Sequence, residues 1–164
     1  MIKIKKLKKL YGKKVAVNNL SLNVSKGSVY GLLGLNGAGK STTLNMIATL
    51  VYPTKGSIKV KGYDLKKNPE KVRNIIGLLP QDAEFFENRT VLSQMKYYCS
   101  LKNSDEAVSI LKKIGLYKVK DNKIGSLSHG MKKALSLGQA LIGKPEVILL
   151  DEPFSGLDPA VRYK

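Results

Sequence analysis

The sequence has little of what most metal centres, disulfide frameworks and hydrolytic triads require. Among its 164 residues there is one cysteine, Cys99, one histidine, His129, and no tryptophan. A single cysteine excludes an internal disulfide and a thiolate metal cluster. A single histidine argues against histidine zinc sites and against serine or cysteine triads. These absences favour a reduced, cytosolic domain whose chemistry depends on other residue types.

Long apolar runs are also absent. No stretch approaches the roughly 18 consecutive apolar residues of a membrane-spanning helix. The first fourteen residues are basic, but the apolar segment of a signal peptide does not follow them. With 43% apolar residues, a chain of this length can form one domain with a buried core.

Acidic residues are scarce, and they are distributed unevenly. There are 12 acidic against 29 basic residues, which gives a formal net charge of +17. The segment 1–63 holds 12 lysines and no acid, because the first acid is Asp64. Such a field attracts nucleic acid, anionic lipid head groups or polyphosphate ligands, yet only three basic residues are arginines, on which phosphate and base recognition usually relies. A solvated lysine surface and a functional polyanion face are both open interpretations.

The apolar patterns predict strands that alternate with helices. Alternating residues or short apolar runs predict strands at 2–12, 15–24, 28–34, 75–81 and 146–153, and a hairpin of two short strands at 57–65. Helical spacing predicts helices at 41–51, from Pro69, in a small helical lobe at 90–116 with Thr90 and Ser104 as caps, and at 127–143. Such alternation indicates a mostly parallel α/β sheet.

A phosphate-binding motif occupies the glycine-rich turn at 34–41. The residues read G-L-N-G-A-G-K-S and satisfy the pattern G-x-x-x-x-G-K-[ST]. Glycines let backbone N–H groups approach β- and γ-phosphates, the helix start supplies positive potential, Lys40 bridges phosphate oxygens and Ser41 ligates Mg²⁺. The bland alternative is an ordinary strand-to-helix glycine turn. The candidate nucleotide-binding residues are Gly34, Asn36, Gly37, Ala38, Gly39, Lys40, Ser41 and Thr42.

Two acids follow a second apolar strand. The sequence VILLDE at 147–152 would deliver Asp151 to a Mg²⁺ ion and Glu152 to an attacking water. Adjacent acids at a strand end are ordinary by themselves. At about 110 residues after a phosphate-binding loop, they are typical of a nucleotide hydrolase.

The two motifs together resemble the nucleotide-binding domain of an ATP-binding cassette (ABC) ATPase. This resemblance covers about 2–164 and implies that Tyr11 stacks on adenine and that Gln81 senses Mg²⁺ and water. The segment L-S-H-G-M at 127–131 resembles the family signature, which implies that Ser128 and Gly130 contact the γ-phosphate held by an opposing subunit. The segment S-G-L-D resembles the family's D-loop and places Asp158 across the same dimer interface.

The resemblance also implies a fold, a set of catalytic residues and a set of metal ligands. We expect a P-loop NTPase core with a mostly parallel sheet, an N-terminal antiparallel β subdomain and a small helical subdomain, with boundaries 1–81, 82–140 and 141–164. The expected catalytic residues are Glu152, Gln81 and Lys40, and the expected metal ligands are Ser41, Gln81 and Asp151.

Two departures from the family pattern modify these expectations. In the signature, His129 replaces a glycine and Met131 a glutamine, a variant familiar among exporters. The chain stops six residues past Asp158 and has no second histidine. We therefore expect a shortened cassette without the closing strands and the switch histidine, which binds ATP and hydrolyses it weakly.

The function implied is that of the ATP-binding subunit of an ABC transporter. The expected ligands are ATP and Mg²⁺, and the expected partners are a second ATPase subunit, head to tail, and a membrane permease at the inner face of the cell membrane; nucleic acid is not expected. One alternative is a soluble ABC-type ATPase that acts on ribosomes or nucleic acid, which the basic segment 1–63 favours. Another is a hydrolysis-deficient fragment.

Overall fold

The computed structural model describes residues 1–155, which belong to two compact units. The first unit comprises Met1–Arg73, and the second begins at Asn74.

An antiparallel sheet forms most of the first unit. Its strands are β1 (Ile2–Tyr11), β2 (Lys14–Val24), β3 (Lys55–Val60) and β4 (Tyr63–Asp64), in the order β2-β1-β3-β4. Alternation along β1 buries Ile2 and Ile4, and Leu7 is buried after one extra residue, while the lysines between them stay exposed. The predicted antiparallel subdomain and its 57–65 hairpin are confirmed.

Two helices accompany this sheet. Helix α1 (Lys40–Ile47) buries Thr43, Met46 and Ile47, and α2 (Pro69–Ile75) begins at the proline, where a missing N–H is tolerated. Both helices were predicted from the sequence.

The predicted strand at 28–34 is wrong. Residues 28–35 have no regular secondary structure, and the side chains of Val29 and Leu33 are fully exposed, at 103% and 97%. An apolar run has strand character, but a strand forms only where a neighbour satisfies its N–H and C=O groups. None of the described strands pairs with this segment.

The second unit combines a parallel strand pair with helices. Strands β5 (Ile76–Leu79) and β6 (Val147–Leu150) pair in parallel. Between these two strands in the chain lie helices α3 (Val91–Leu101), α4 (Ala107–Lys113) and α5 (His129–Leu141), with two 3₁₀ turns between α4 and α5. The predicted helical lobe is confirmed.

The lobe has its own hydrophobic core. Met95 and Leu135 are fully buried in it, together with Cys99. Burial raises the pKa of the Cys99 thiol, which favours the uncharged, unreactive form. Cys99 is therefore a packing residue.

One of the two predicted helix caps is confirmed. The Thr90 hydroxyl accepts a hydrogen bond from the Ser93 N–H at the start of α3 (3.2 Å). Ser104 does not cap α4, because the cap position is Glu106. Instead the Ser104 hydroxyl donates to the Glu106 carboxylate (2.8 Å), which also accepts from the Gly143 N–H (3.1 Å).

These hydrogen bonds predict a pH dependence of stability. The Ser104 hydroxyl, with the Gly143 N–H, lowers the pKa of Glu106 below its ordinary value of 4.5. A folded-state pKa below the unfolded one stabilises the fold above the unfolded pKa, and this contribution disappears as the pH falls through the folded pKa. We expect Glu106→Gln to flatten the decline of the free energy of unfolding between pH 6 and about pH 3. Urea unfolding across this range measures it, and an unchanged slope would contradict the prediction; Glu70→Gln, on an exposed face of α2, is the control.

Candidate functional site

The loop at 34–39 leads directly into α1 and packs against β2. The Ala38 N–H donates to the Leu35 carbonyl (3.1 Å), which closes a turn. Gly39 has a left-handed φ of 87°, and a Cβ there would lie 2.3 Å from the Ala16 carbonyl oxygen of β2. Only glycine fits this position, because both the backbone angle and the close approach exclude a side chain.

The start of α1 has no side-chain cap. Its cap residue is Gly39, so no side chain accepts a hydrogen bond from the first-turn N–H groups, and the first turn contains no acid. Unpaired N–H groups at a helix start attract phosphate. The Lys40 ammonium lies at the same place, where it donates to the carbonyls of Gly34 (2.9 Å) and Leu35 (3.0 Å), and Ser41 and Thr42 belong to the first turn.

These residues fit a nucleoside triphosphate with its magnesium ion. The loop offers amide donors and a lysine, and the Ser41 hydroxyl is an oxygen donor of the kind that Mg²⁺ prefers. The first unit thus brings together most of the residues predicted for the phosphates.

Tyr11 lies at the end of β1, and the residue is 48% exposed. The Lys9 ammonium is 4.8 Å from the ring centroid, a cation–π contact. The exposed ring is available to stack on a planar base, and this role stays a prediction.

The second unit brings Gln81 and the acid pair to one edge of its parallel strands. Leu79 is in register with Leu150, so the carboxyl ends of β5 and β6 coincide. The Asp151 N–H donates to the Leu79 carbonyl (2.9 Å), which places Asp151 beside the segment that leads to Gln81. Because parallel strands direct their carboxyl ends to one edge, functional side chains collect there.

The two acids differ in environment. Asp151 is buried, at 6% exposure, whereas Glu152 is half-buried. Glu152 has a left-handed φ of 46°, which is costly for a residue with a Cβ, and its carbonyl accepts hydrogen bonds from the Ser155 N–H (3.1 Å) and hydroxyl (2.9 Å). The Ser155 bonds therefore hold Glu152 in a strained conformation next to Asp151.

Lys133 is a site residue that the sequence reasoning missed. This side chain of α5 is 9% exposed, and its ammonium donates to the Gln81 carbonyl (2.9 Å) and lies 3.5 Å from the Ser155 hydroxyl. Lys133 thus connects α5, the helix that begins within the signature, to the segment at Gln81 and to the loop that follows β6. The signal in the sequence was its helical spacing with Ser136 and Ala140, which places a lysine on the buried face of α5.

The signature residues lie at the start of α5. The Ser128 hydroxyl accepts a hydrogen bond from the Met131 N–H (3.3 Å), so Ser128 caps this helix. Ser128 and His129 are exposed, and Gly130 is half-buried. Contact of Ser128 and Gly130 with a γ-phosphate stays a prediction, and Asp158 lies outside the described residues.

The predicted site residues thus form two sets. The loop, Lys40, Ser41 and Tyr11 belong to the first unit, and Gln81, Asp151, Glu152 and the signature belong to the second. The closure of both sets around one nucleotide remains a prediction. Within residues 1–155, no helix combines the length and the apolar character that crossing a membrane requires.

Comparison with known proteins identifies relatives of this chain. The family model described as "ABC transporter" matches residues 17–155. The chain is 37% identical to the linearmycin resistance ATP-binding protein LnrL of Bacillus subtilis, over 99% of this chain and 54% of that protein. It is 38% identical to the Nod factor export ATP-binding protein I of Burkholderia orbicola, over 99% of this chain and 55% of that protein. The chain therefore spans about half the length of these curated relatives.

A solved structure shows the same fold. The dimeric ATP-binding cassette MJ0796, in a post-hydrolysis state with ADP and Pi, matches 98% of this chain and 77% of its own at a TM-score of 0.87 and 27% identity. The P-loop NTPase fold predicted from the sequence is confirmed. On the family match, the relatives and the shared fold, the chain belongs to the ABC transporter family, as a nucleotide-binding domain.

Proposed function

We propose that the chain binds and hydrolyses ATP as the nucleotide-binding subunit of an ABC transporter. The observation that carries the proposal is the start of α1, where N–H groups without a side-chain cap and the Lys40 ammonium share one loop. This is the donor set that a triphosphate needs. The ADP and Pi in the MJ0796 structure, a member of the same fold, support it.

Different residues of the site bind the phosphates, hold the magnesium ion and activate the attacking water. On binding, the triphosphate takes over the Lys40 hydrogen bonds that now go to the Gly34 and Leu35 carbonyls. Ser41, Asp151 and Gln81 would hold Mg²⁺, which neutralises the charge that develops on the phosphate oxygens. The Glu152 carboxylate orients the attacking water and accepts its proton.

The partners follow from the family. A second ATPase subunit, head to tail, would place Ser128 and Gly130 against the γ-phosphate, as the dimeric MJ0796 structure supports. A separate permease would hold the chain at the inner face of the membrane. Export is the proposed direction, because one relative is named as an export ATP-binding protein and the signature has the exporter-like form at His129 and Met131.

One further expectation belongs to this proposal. The division at 81 and 140 assigns helices α3 and α4, together with the signature, to one helical subdomain.

ATP binding to Lys40→Ala tests the proposed function. Loss of one charge-assisted hydrogen bond costs about 2 kcal/mol, so we expect the dissociation constant of ATP with Mg²⁺ to rise about 30-fold. Calorimetric titration measures it. Lys26→Ala removes the same charge from an exposed turn outside the loop and should leave affinity unchanged. If wild-type protein gives no heat with ATP, or if both variants bind as the wild type does, the proposal fails.

A further inference from the structure

We propose that a lysine-lined cavity on the antiparallel sheet binds a ligand with two or more phosphate groups, free in solution or on a lipid head group. This lysine cavity is open to solvent, measures about 720 Å³ and shares no residue with the proposed nucleotide site. Its size falls in the range of about 300–1,000 Å³ that small ligands occupy. Its lining residues are Lys5, Lys6, Lys8, Asn18, Asn19, Ser21, Lys55 and Gly56.

The cavity begins at a bulge in β1. Lys5 and Lys6 together lie opposite Ser21 of β2, so one extra residue interrupts the strand pairing. Lys6 takes a left-handed φ of 45°, and its N–H donates to the Ser21 hydroxyl (2.9 Å). On the other side, Gly56 of β3 approaches so closely that a Cβ would lie 2.4 Å from the Lys6 carbonyl oxygen. The bulge is thus held in place by contacts on both sides.

A second bulge, in β2, completes the cavity. Asn18 and Asn19 together lie opposite Lys8, and Asn19 has a left-handed φ of 52°. Strained residues and bulges concentrate where a fold positions side chains for binding. Among the residues that line the cavity, Asn18 and Asn19 carry uncharged amide donors and the four lysines carry ammonium groups.

The charges of the cavity lack compensation within the described chain. Lys8 and Lys55 are directly opposite each other on β1 and β3, an arrangement of like charges that destabilises a sheet. Within residues 1–155, the lysines at 5, 6, 8 and 55 form no ion pair, and no acid precedes Asp64 in the sequence. A bound anion would remove this repulsion, and four ammonium groups match the charge of two phosphates.

The chemistry of the lining selects the ligand class. Lysine and asparagine side chains both donate hydrogen bonds, and lysine also carries a positive charge. Both properties suit phosphate oxygens. The lining holds neither an aromatic ring nor an arginine. Single-stranded nucleic acid is usually bound by stacking on aromatic rings, and bases are usually read by arginine. A compact phosphorylated group therefore fits better than a nucleic acid.

Two double variants with equal charge change test the lysine cavity. Lys8→Gln with Lys55→Gln removes the pair inside it, and Lys3→Gln with Lys59→Gln removes the neighbouring cross-strand pair of β1 and β3, which lies outside it. Pyrophosphate titration by calorimetry probes the free ligand, and co-sedimentation with phosphatidylcholine vesicles, with and without cardiolipin, probes the lipid head group. The loop at 34–39 is identical in all three proteins, so pyrophosphate bound there contributes equally.

We expect the inner pair of substitutions to weaken binding of one or both probes at least about tenfold, and the outer pair less than about twofold. Pyrophosphate should also raise the unfolding temperature of the wild type more than that of the inner variant, a second measure. Binding of one probe alone supports the proposal and identifies its source. The proposal is overturned if both variants lose affinity equally, if neither probe binds, or if duplex RNA alone binds in a manner dependent on Lys8 and Lys55.

Discussion

Replacing Glu152 by glutamine should lower the rate of ATP hydrolysis about a thousandfold and leave ATP affinity unchanged. A positioned general base contributes about 10²–10⁴ in rate, and an amide of the same shape cannot accept the proton. The structure supports this role because Glu152 follows the buried Asp151 and is held by hydrogen bonds from Ser155 to its carbonyl. Since the amide keeps the size of the side chain, the phosphate-binding loop is untouched.

Phosphate release with enzyme in excess over ATP measures hydrolysis even when turnover is slow. Glu70→Gln makes the same chemical change on an exposed residue of α2 and serves as the control. A Glu152→Gln variant that hydrolyses ATP at the wild-type rate would remove Glu152 from the catalytic machinery. A variant that no longer binds ATP would show instead that the carboxylate holds the nucleotide.

Gly77→Ala is the substitution with the largest expected effect on stability. Gly77 lies in β5, and a Cβ there would lie 1.9 Å from the Ala140 carbonyl oxygen and 2.9 Å from its carbon, both in the backbone of α5. Neither atom can yield as a flexible side chain would, so α5 must move away from the strand. We expect a loss of about 3 kcal/mol in the free energy of unfolding, the upper end of what overpacking costs.

Gly31→Ala is the matched control, because no heavy atom lies within 4 Å of its added Cβ. Its free energy of unfolding should stay within about 0.5 kcal/mol of the wild type. Urea unfolding of both variants gives the comparison. Equal stability of the two would mean that α5 does not pack against β5 as the structure shows.

Much of the site could be predicted because its chemistry is local in the chain. The loop at 34–39, the helix start at Lys40 and the acids after β6 depend on neighbouring residues whose spacing is legible in the sequence. The cap by Ser128 is equally local. Contacts between distant segments were not predictable. The Ser104 hydroxyl donates to the Glu106 carboxylate, which also accepts from the distant Gly143 N–H, and does not cap the helix. Lys133 donates to the Gln81 carbonyl 52 positions away.

The sequence alone determined the family, the phosphate-binding motif and the antiparallel pattern of the first strands, because each of these depends on residue types at short, fixed spacing in the chain. Only the tertiary structure decided that residues 28–35 form no strand, that a lysine of α5 joins the two loops of the second unit, and that bulges in β1 and β2 open a lysine cavity. The physical reason is that strand pairing, the burial of a charge and strand register depend on partners distant in the chain, and local propensity does not encode those partners.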